Sequence, residues 1–255
     1  MLPGSRPRCP EYLAQIVLPT LERQKRLGAV ALKFEAAYLR PLNFHRPDAA
    51  RAERVYARYA APGAGAAAPD PADDYALQDA IFHFIALQAG RLRLAVHFHT
   101  GFGCGSYFDL AGANPLLLED VFNDPSLRGT NFVLLHGGVG PYGKIVASLV
   151  AKPNVYADYS GQTWALPTAE VAQVVRYWLE WYPEKVMFGT DASPGAVGQD
   201  WEETAWQTSQ SARAALALAL TGMVRDQEIP RARALEIARM VLRGNALRLY
   251  HWPDR

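Results

Sequence analysis

Two histidines lie two positions apart at the end of a short apolar run, in LRLAVHFHTG at residues 92–101. An apolar run of this length that ends near a glycine predicts a buried β-strand. Because alternate side chains of a strand share one face, His97 and His99 should point the same way, about 7 Å apart. Neutral imidazole is the commonest metal ligand in proteins, so the pair suggests a metal site. A strand histidine is also often a hydrogen-bonded core residue. The residues at the other strand ends indicate which of these two roles applies.

Four further apolar runs carry polar residues at or just beyond their carboxyl ends. These residues are Lys33 and Glu35 in the first run, His136 in the second, Asp158 in the third and Asp191 in the fourth. Each has an ordinary structural explanation when taken alone, such as a helix cap for Asp158. Histidine nitrogens together with aspartate oxygens, however, suit a divalent metal that keeps an open position for water. The set as a whole therefore predicts a metal-dependent site.

These residues need a fold that brings several strand ends together. The predicted strands begin at about residues 29, 92, 131, 154 and 185. The predicted helices cover about 11–27, a basic segment with Arg51, Arg54 and Arg58, and then 75–90, 116–122, 144–150, 168–181, 202–223 and 230–250. Strands that alternate with helices in this way predict βα units and a parallel sheet.

The position of the polar residues distinguishes two kinds of parallel sheet. TIM-type (β/α)₈ barrels keep their active sites at the carboxyl ends of the strands, whereas an open doubly wound sheet normally shows a Gly-rich phosphate turn. The glycines of HGGVGPYG, residues 136–143, follow a strand but lack the spacing of such a turn. We therefore predict the α/β fold class, with a TIM-type barrel.

Length and composition indicate one ordinary globular domain. The chain has 255 residues, which we assign to a single domain, 1–255, with a flexible Ala/Gly/Pro insertion at 61–74. The formal net charge of +1 gives no electrostatic reason to expect nucleic acid or a membrane surface as a partner. The first ten residues lack the apolar centre of a signal peptide, and there are only two cysteines. We expect a cytoplasmic protein that acts on a small molecule.

Four motifs resemble the amidohydrolase-related (amidohydrolase 2) branch of the metal-dependent amidohydrolase superfamily: HTGFG at 99–103, FVLLHGG at 132–138, NVYADYSG at 154–161 and FGTDASP at 188–194. They fall in the order of that branch's fifth to eighth strands. The likeness is greatest to nodulin-like members, including those fused to glutamine-synthetase-like domains, which the segments Ser211-Ala212-Arg213 and GNALRLY at 244–250 also fit. The resemblance covers roughly residues 28 to 252.

The resemblance implies roles for individual residues. His99 would be the metal ligand of the fifth strand, and His136 the sixth-strand histidine that binds metal or polarises the substrate. Asp191 would be the eighth-strand aspartate, which binds metal and accepts the proton of the attacking water. Lys33 lies where some members have a lysine or glutamate that bridges two metals. His97 occupies no standard ligand position, and we expect it to contact the substrate or a ligand.

The expected cofactor is a divalent metal, for which we expect Zn²⁺, and the expected reaction is hydrolysis of an amide, ester or related C–N bond by a metal-activated water. Decarboxylation of an aromatic or dienoic acid is the alternative within the same branch. If Arg40 or Arg213 reaches the pocket, the substrate should be a carboxylate. We expect Glu35 to lie beside the same site.

The chain departs from the superfamily pattern at its first strand. Members normally begin with a strand that ends in His-x-His, but the chain has no such motif before residue 97 and only about five predicted strands. The HFH of residues 97–99 could itself be that first strand, but too few strands follow it. We therefore expect a partial barrel, about strands four to eight with C-terminal helices, from which the first three βα units are missing.

A partial barrel has two consequences for function. The edge of the first strand, near residues 30–34, would be open and would need to be covered by self-association or by a partner chain. Without the first His-x-His pair the metal site would be incomplete. The chain could then be an inactive remnant or an interaction subunit rather than an enzyme.

Overall fold

In a computed structural model, which describes residues 7–61, 70–105, 107–192 and 200–252, five parallel strands form one sheet. The strands are β1 (Ala31–Phe34), β2 (Ala95–His99), β3 (Phe132–Leu135), β4 (Val155–Asp158) and β5 (Val186–Met187), and their order in the sheet is their order in the chain. Every neighbouring pair is parallel. The α/β class and the partial TIM-type barrel are confirmed.

The α-helices are α1 (Cys9–Tyr12), α2 (Leu18–Arg26), α3 (Ala49–Ala60), α4 (Pro71–Leu92), α5 (Glu119–Asn123), α6 (Gly143–Val150), α7 (Gln162–Ala165), α8 (Thr168–Leu179), α9 (Trp201–Arg225), α10 (Arg231–Arg239) and α11 (Asn245–Leu249). A π-helical turn, Leu13–Val17, joins α1 to α2 just before Pro19. Proline has no N–H to donate, and the wider turn accommodates it without ending the helix. None of the described helices has the length and apolarity needed to cross a membrane.

The helix α4 begins earlier than the sequence pattern indicates. Asp70 caps it by accepting a hydrogen bond from the backbone N–H of Ala72, and Pro71 occupies the first turn, where its missing N–H costs nothing. The end of the predicted insertion at 61–74 is therefore helical, and residues 62–69 of it lie outside the described residues. Asp73, inside the first turn, pairs with Arg51 of α3 and fixes the two helices together.

The two faces of the sheet pack against different partners. On the outer face Val96, Phe98, Phe132 and Leu134 are buried against the helices in the main hydrophobic core. On the inner face a second, smaller cluster includes Ala95, Val133, Leu135, Met187 and Leu249, and α11 forms its floor. In a closed barrel this inner face would line the interior. Here α11 covers one end of it.

The sheet does not close on itself within the described residues. There β1 pairs only with β2, and β5 pairs only with β4. A groove of about 410 Å³ runs beside the free side of β1, with Phe34, Leu39, Ile81 and Phe82 among its lining residues. Leu39 is 85% exposed, so this edge presents apolar surface to solvent.

Candidate functional site

The parallel register brings three of the predicted polar residues to one end of the sheet. His99, the last residue of β2, lies opposite Leu135, the last residue of β3. The next residue, His136, begins a short 3₁₀ turn and turns back toward the sheet, and Asp158 ends β4. Because parallel strands end at the same edge, side chains separated by 37 and 22 residues in sequence meet there.

The two histidine rings face each other in the buried centre of this end. Nδ1 of His99 lies 3.1 Å from Nε2 of His136, and the side chains are nearly inaccessible to water. The other nitrogen of His99, Nε2, donates to the carbonyl of Phe102. Burial lowers the pKa of His99 to about 4, helped by the neighbouring His136, so the His99 ring is neutral at pH 7.

The proton positions on the two rings indicate whether their facing nitrogens could bind a cation. A carbonyl oxygen can only accept, so the proton of His99 is on Nε2 and its Nδ1 has a free lone pair. Nδ1 of His136 faces the carbonyl and hydroxyl of Ser160, at 3.2 and 2.9 Å. With the proton of His136 on Nδ1, neither of the two nearest nitrogens, 3.1 Å apart, carries a proton. Their lone pairs repel each other, and a cation bound by both would remove that repulsion.

The spacing of the facing nitrogens fits two ligands of one metal ion. Two nitrogens bound to a tetrahedral Zn²⁺ lie about 3.4 Å apart, given Zn–N bonds of about 2.0–2.1 Å. The observed separation of 3.1 Å is close to that value. Among the residues that the structure describes, however, no group of three or more His, Cys, Asp and Glu side chains is arranged to hold a metal. The spacing of His99 and His136 alone would thus suit two ligands of such an ion.

Asp191 approaches the pair from the solvent side. Its Oδ2 lies 4.0 Å from Nδ1 of His136, on the far side of the ring from His99, and its side chain is 34% exposed. Its backbone adopts φ +57°, a left-handed conformation that is uncommon outside glycine. The charge of Asp191 also reaches Tyr38, whose pKa is raised mainly by burial. Asp191 therefore lies beside His136 without bridging the two histidines.

Aromatic side chains form the walls around the two histidines. The ring of Tyr38 lies 4.6 Å from that of His99, and the ring of Phe102 lies 5.6 Å from that of His136. Phe102 in turn packs edge-on against Trp164, with ring centres 5.1 Å apart, and Trp164 is 47% exposed. The approach to the histidine pair is thus apolar and aromatic, with a partly exposed indole at its outer end.

Three of the predicted residues lie below or beside the pair. His97 is one row deeper on the same face, where its Nε2 is 3.0 Å from the hydroxyl of Tyr250. Burial lowers the pKa of His97 to about 4. Lys33, opposite His97 in the register, forms an ion pair of 3.1 Å with Glu35, where both are partly exposed, and the charges of both act on the pKa of His99.

Within the described residues, neither Arg40 nor Arg213 contacts His99 or His136. Arg40 is buried, with Nη1 2.9 Å from Oδ1 of Asp79 and its guanidinium over the rings of Phe44 and Tyr75. Its charge is thus used within the fold. Arg213 is exposed on α9. The expectation of a carboxylate substrate stays a prediction.

Four residues of this site were not singled out from the sequence. Tyr38 lies in a short 3₁₀ turn after β1, Phe102 lies in the loop after β2, and Ser160 and Gln162 follow β4 in the segment DYSGQ. The signal for the last two was present, since Asp, Ser and Gln at alternate positions after a strand can all reach toward the same neighbouring strand end.

Comparison with known proteins was made for both sequence and structure. Residues 15–252 match the family described as amidohydrolase. A search of curated proteins finds no match. Among solved structures, the chain is similar to a protein assigned as a metal-dependent hydrolase from Lactobacillus casei ATCC 334, with 21% identity, a TM-score of 0.73 and coverage of 93% of this chain and 59% of that one.

Two sugar-acid isomerases share the same fold. Uronate isomerase from Thermotoga maritima has 14% identity and a TM-score of 0.63, covering 95% of this chain and 54% of that one. Glucuronate isomerase from Caulobacter crescentus has 12% identity and a TM-score of 0.67, covering 97% of this chain and 52% of that one. The chain thus spans between half and three-fifths of the length of these structures.

Proposed function

The chain belongs to the amidohydrolase family, and we propose that it carries the metal-binding half of a hydrolase that cleaves an amide, ester or related C–N bond. The observation that carries the proposal is the histidine pair, in which Nδ1 of His99 and Nε2 of His136 face each other at 3.1 Å in a buried, aromatic-walled site. The donor set of two imidazoles and a nearby carboxylate suits Zn²⁺, which we propose as the metal.

A bound divalent cation would lower the pKa of a coordinated water from about 15.7 toward about 7. The residues of this chain would supply the rest. Asp191, which lies partly exposed beside His136, would accept a proton from a water that attacks the substrate. The aromatic walls formed by Tyr38, Phe102 and Trp164 would hold an apolar or aromatic group and exclude bulk water.

Metal binding tests the proposal directly. Titration of the purified, chelator-treated chain with Zn²⁺ in a calorimeter, and with Co²⁺ by visible absorption, should show one site. His99→Ala and His136→Ala should each abolish it. His251→Asn is the matched control, because His251 is exposed near the other end of the sheet and has φ +52°, which asparagine tolerates. Binding that survives both alanine variants would overturn the proposal.

Product analysis distinguishes the reactions that the family allows. We expect the Zn²⁺-loaded chain to release the chromophore from nitrophenyl esters or anilides, and Asp191→Asn to reduce the rate by at least about 100-fold. The decarboxylase alternative would instead release CO₂ from an aromatic acid. An inactive chain that still binds metal would favour the interaction-subunit alternative.

We also propose that additional polypeptide covers β1 and completes the site. The free side of β1, the apolar groove beside it and the greater length of the similar structures support this. A second copy of the chain is the simplest occupant, because an exposed parallel edge favours pairing. Sedimentation velocity should then show a dimer, and Leu39→Glu, on the exposed groove wall, should shift it to monomer. A monomer at all concentrations would exclude the second copy.

A further inference from the structure

We propose that Asp158, Ser160 and Gln162 form a positioning clamp that holds His136 in a single tautomer, with Nε2 unprotonated and directed at His99. The three residues come from one short segment after β4, and all three are buried. The inference rests on the proposed metal site, since the unprotonated Nε2 is the form that binds a cation. It assigns to the segment after β4 a role in orienting His136, which follows the neighbouring strand β3.

The tautomer follows from the hydrogen bonds of Ser160. Its hydroxyl lies 2.7 Å from Oδ1 of Asp158 and donates its only proton to that carboxylate. The same oxygen is 2.9 Å from Nδ1 of His136 and can therefore only accept there. The carbonyl of Ser160, 3.2 Å from the same Nδ1, is also an acceptor. Two acceptors at Nδ1 fix the proton on that nitrogen and leave Nε2 with its lone pair.

The same segment holds the backbone of His136 in an unusual conformation. His136 has φ +64°, which costs a non-glycine residue about 1–2 kcal/mol. Its N–H donates to Oδ1 of Asp158 at 2.9 Å, and its carbonyl accepts from Nε2 of Gln162 at 2.8 Å. These two bonds hold the residue in the turn that aims its ring at His99. One carboxylate oxygen thus fixes the backbone directly and the ring through Ser160.

A role in stability alone is the competing explanation, and the proton position on His136 separates the two. In metal-free protein, ¹⁵N spectra of the histidine rings report which nitrogen of His136 carries the proton. We expect the wild type to show Nδ1–H alone, and Ser160→Ala to show a mixture with Nε2–H. Loss of an outer partner of this kind typically weakens metal affinity by about 10–100-fold, and we expect that loss for Zn²⁺.

Thr163→Val is the matched control. Thr163 is in the same segment and equally buried, but its hydroxyl has no hydrogen-bond partner among the described residues. The change should alter neither the His136 spectrum nor the Zn²⁺ affinity. If Ser160→Ala does not fold, as judged by circular dichroism, Ser160→Cys keeps the size of the side chain and weakens its hydrogen bonds, and it is read in the same way.

The outcomes separate the clamp from the metal site. An unchanged His136 tautomer in the folded Ser160 variant would overturn the clamp, whatever the metal binding. An altered tautomer together with a 10–100-fold weaker Zn²⁺ affinity supports both. An altered tautomer in a chain whose wild type binds no Zn²⁺ supports the clamp and overturns the proposed function.

Discussion

We expect the Arg40→Met variant to unfold more readily than the wild type, whether or not substrate is present. Arg40 and Asp79 are a buried ion pair, with side chains only 2% and 6% exposed and a separation of 2.9 Å. Arg40 also lies over the rings of Phe44 and Tyr75, at 4.3 and 4.4 Å from their centres. Methionine would keep much of the apolar contact but would leave the carboxylate of Asp79 buried without a counter-charge.

The size of the effect follows from that uncompensated charge. At 2.9 Å the Coulomb attraction is about 6 kcal/mol with an effective dielectric constant of about 20, and the cost of desolvating both groups offsets most of it. Removal of one partner retains the desolvation cost and loses the attraction. We therefore expect Arg40→Met to lower the free energy of unfolding by about 3–5 kcal/mol. Asp79→Leu should lower it by a similar amount, and the double variant should be more stable than the sum of the two losses predicts.

Urea denaturation followed by circular dichroism measures these free energies. Arg233→Met is the control, because Arg233 pairs with Glu236 at 2.7 Å on an exposed helix surface and should matter by no more than about 0.5 kcal/mol. Additive losses in the double variant would refute the reasoning. So would an Arg40→Met protein of normal stability with a raised KM, since that result would make Arg40 a substrate ligand instead.

Three further outcomes are expected. Asn245→Ala should lower the free energy of unfolding by about 1–3 kcal/mol in urea titrations, because it removes two hydrogen bonds of 2.8 Å, one partly buried and one buried, that tie α11 to the turn before β5 and to β5 itself. Gly137→Ala should be strongly destabilised in thermal melts, since φ is +52° and the new Cβ would lie 1.9 Å from a ring carbon of Trp178. In metal-free protein, the free energy of unfolding should fall as pH drops from about 6.5 toward about 4, by at most about 1.4 kcal/mol per pH unit for each of His97 and His99. The reason is that in this range these histidines bind protons in the unfolded chain but stay neutral in the folded chain. A pH series of urea titrations would show a flat curve if that reasoning is wrong.

The sequence was informative wherever an apolar run ended in a polar residue. His99, His136 and Asp158 follow such runs, and the parallel arrangement predicted from alternating helices and strands places their ends together. The approximate positions of the helices also followed from periodicity. The start of α4 was placed too late, because the Asp70-Pro71 cap lay within a tract that resembled an insertion.

What could not be predicted depended on partners far away in the sequence. Arg40 is buried only because Asp79 on α4 is beside it, and no local pattern indicates that pairing. The tautomer of His136 depends on the exact register of β3 and β4, which sets Ser160 within 2.9 Å of Nδ1. The nodulin-like subgroup and the cytoplasmic location remain predictions.

The floor that α11 forms under the sheet has a consequence for how the protein is made. Leu249 and Tyr250 cover residues as early as Ala31, so the inner cluster joins nearly the whole length of the chain. While the ribosome is still synthesising residues before α11, Val133 and Met187 have no floor to pack against. The helices of the outer layer can fold as they emerge, but the inner face stays exposed to water until α11 has been synthesised. A nascent chain without α11 therefore exposes this apolar face to water, and a chain truncated before α11 would leave it exposed permanently.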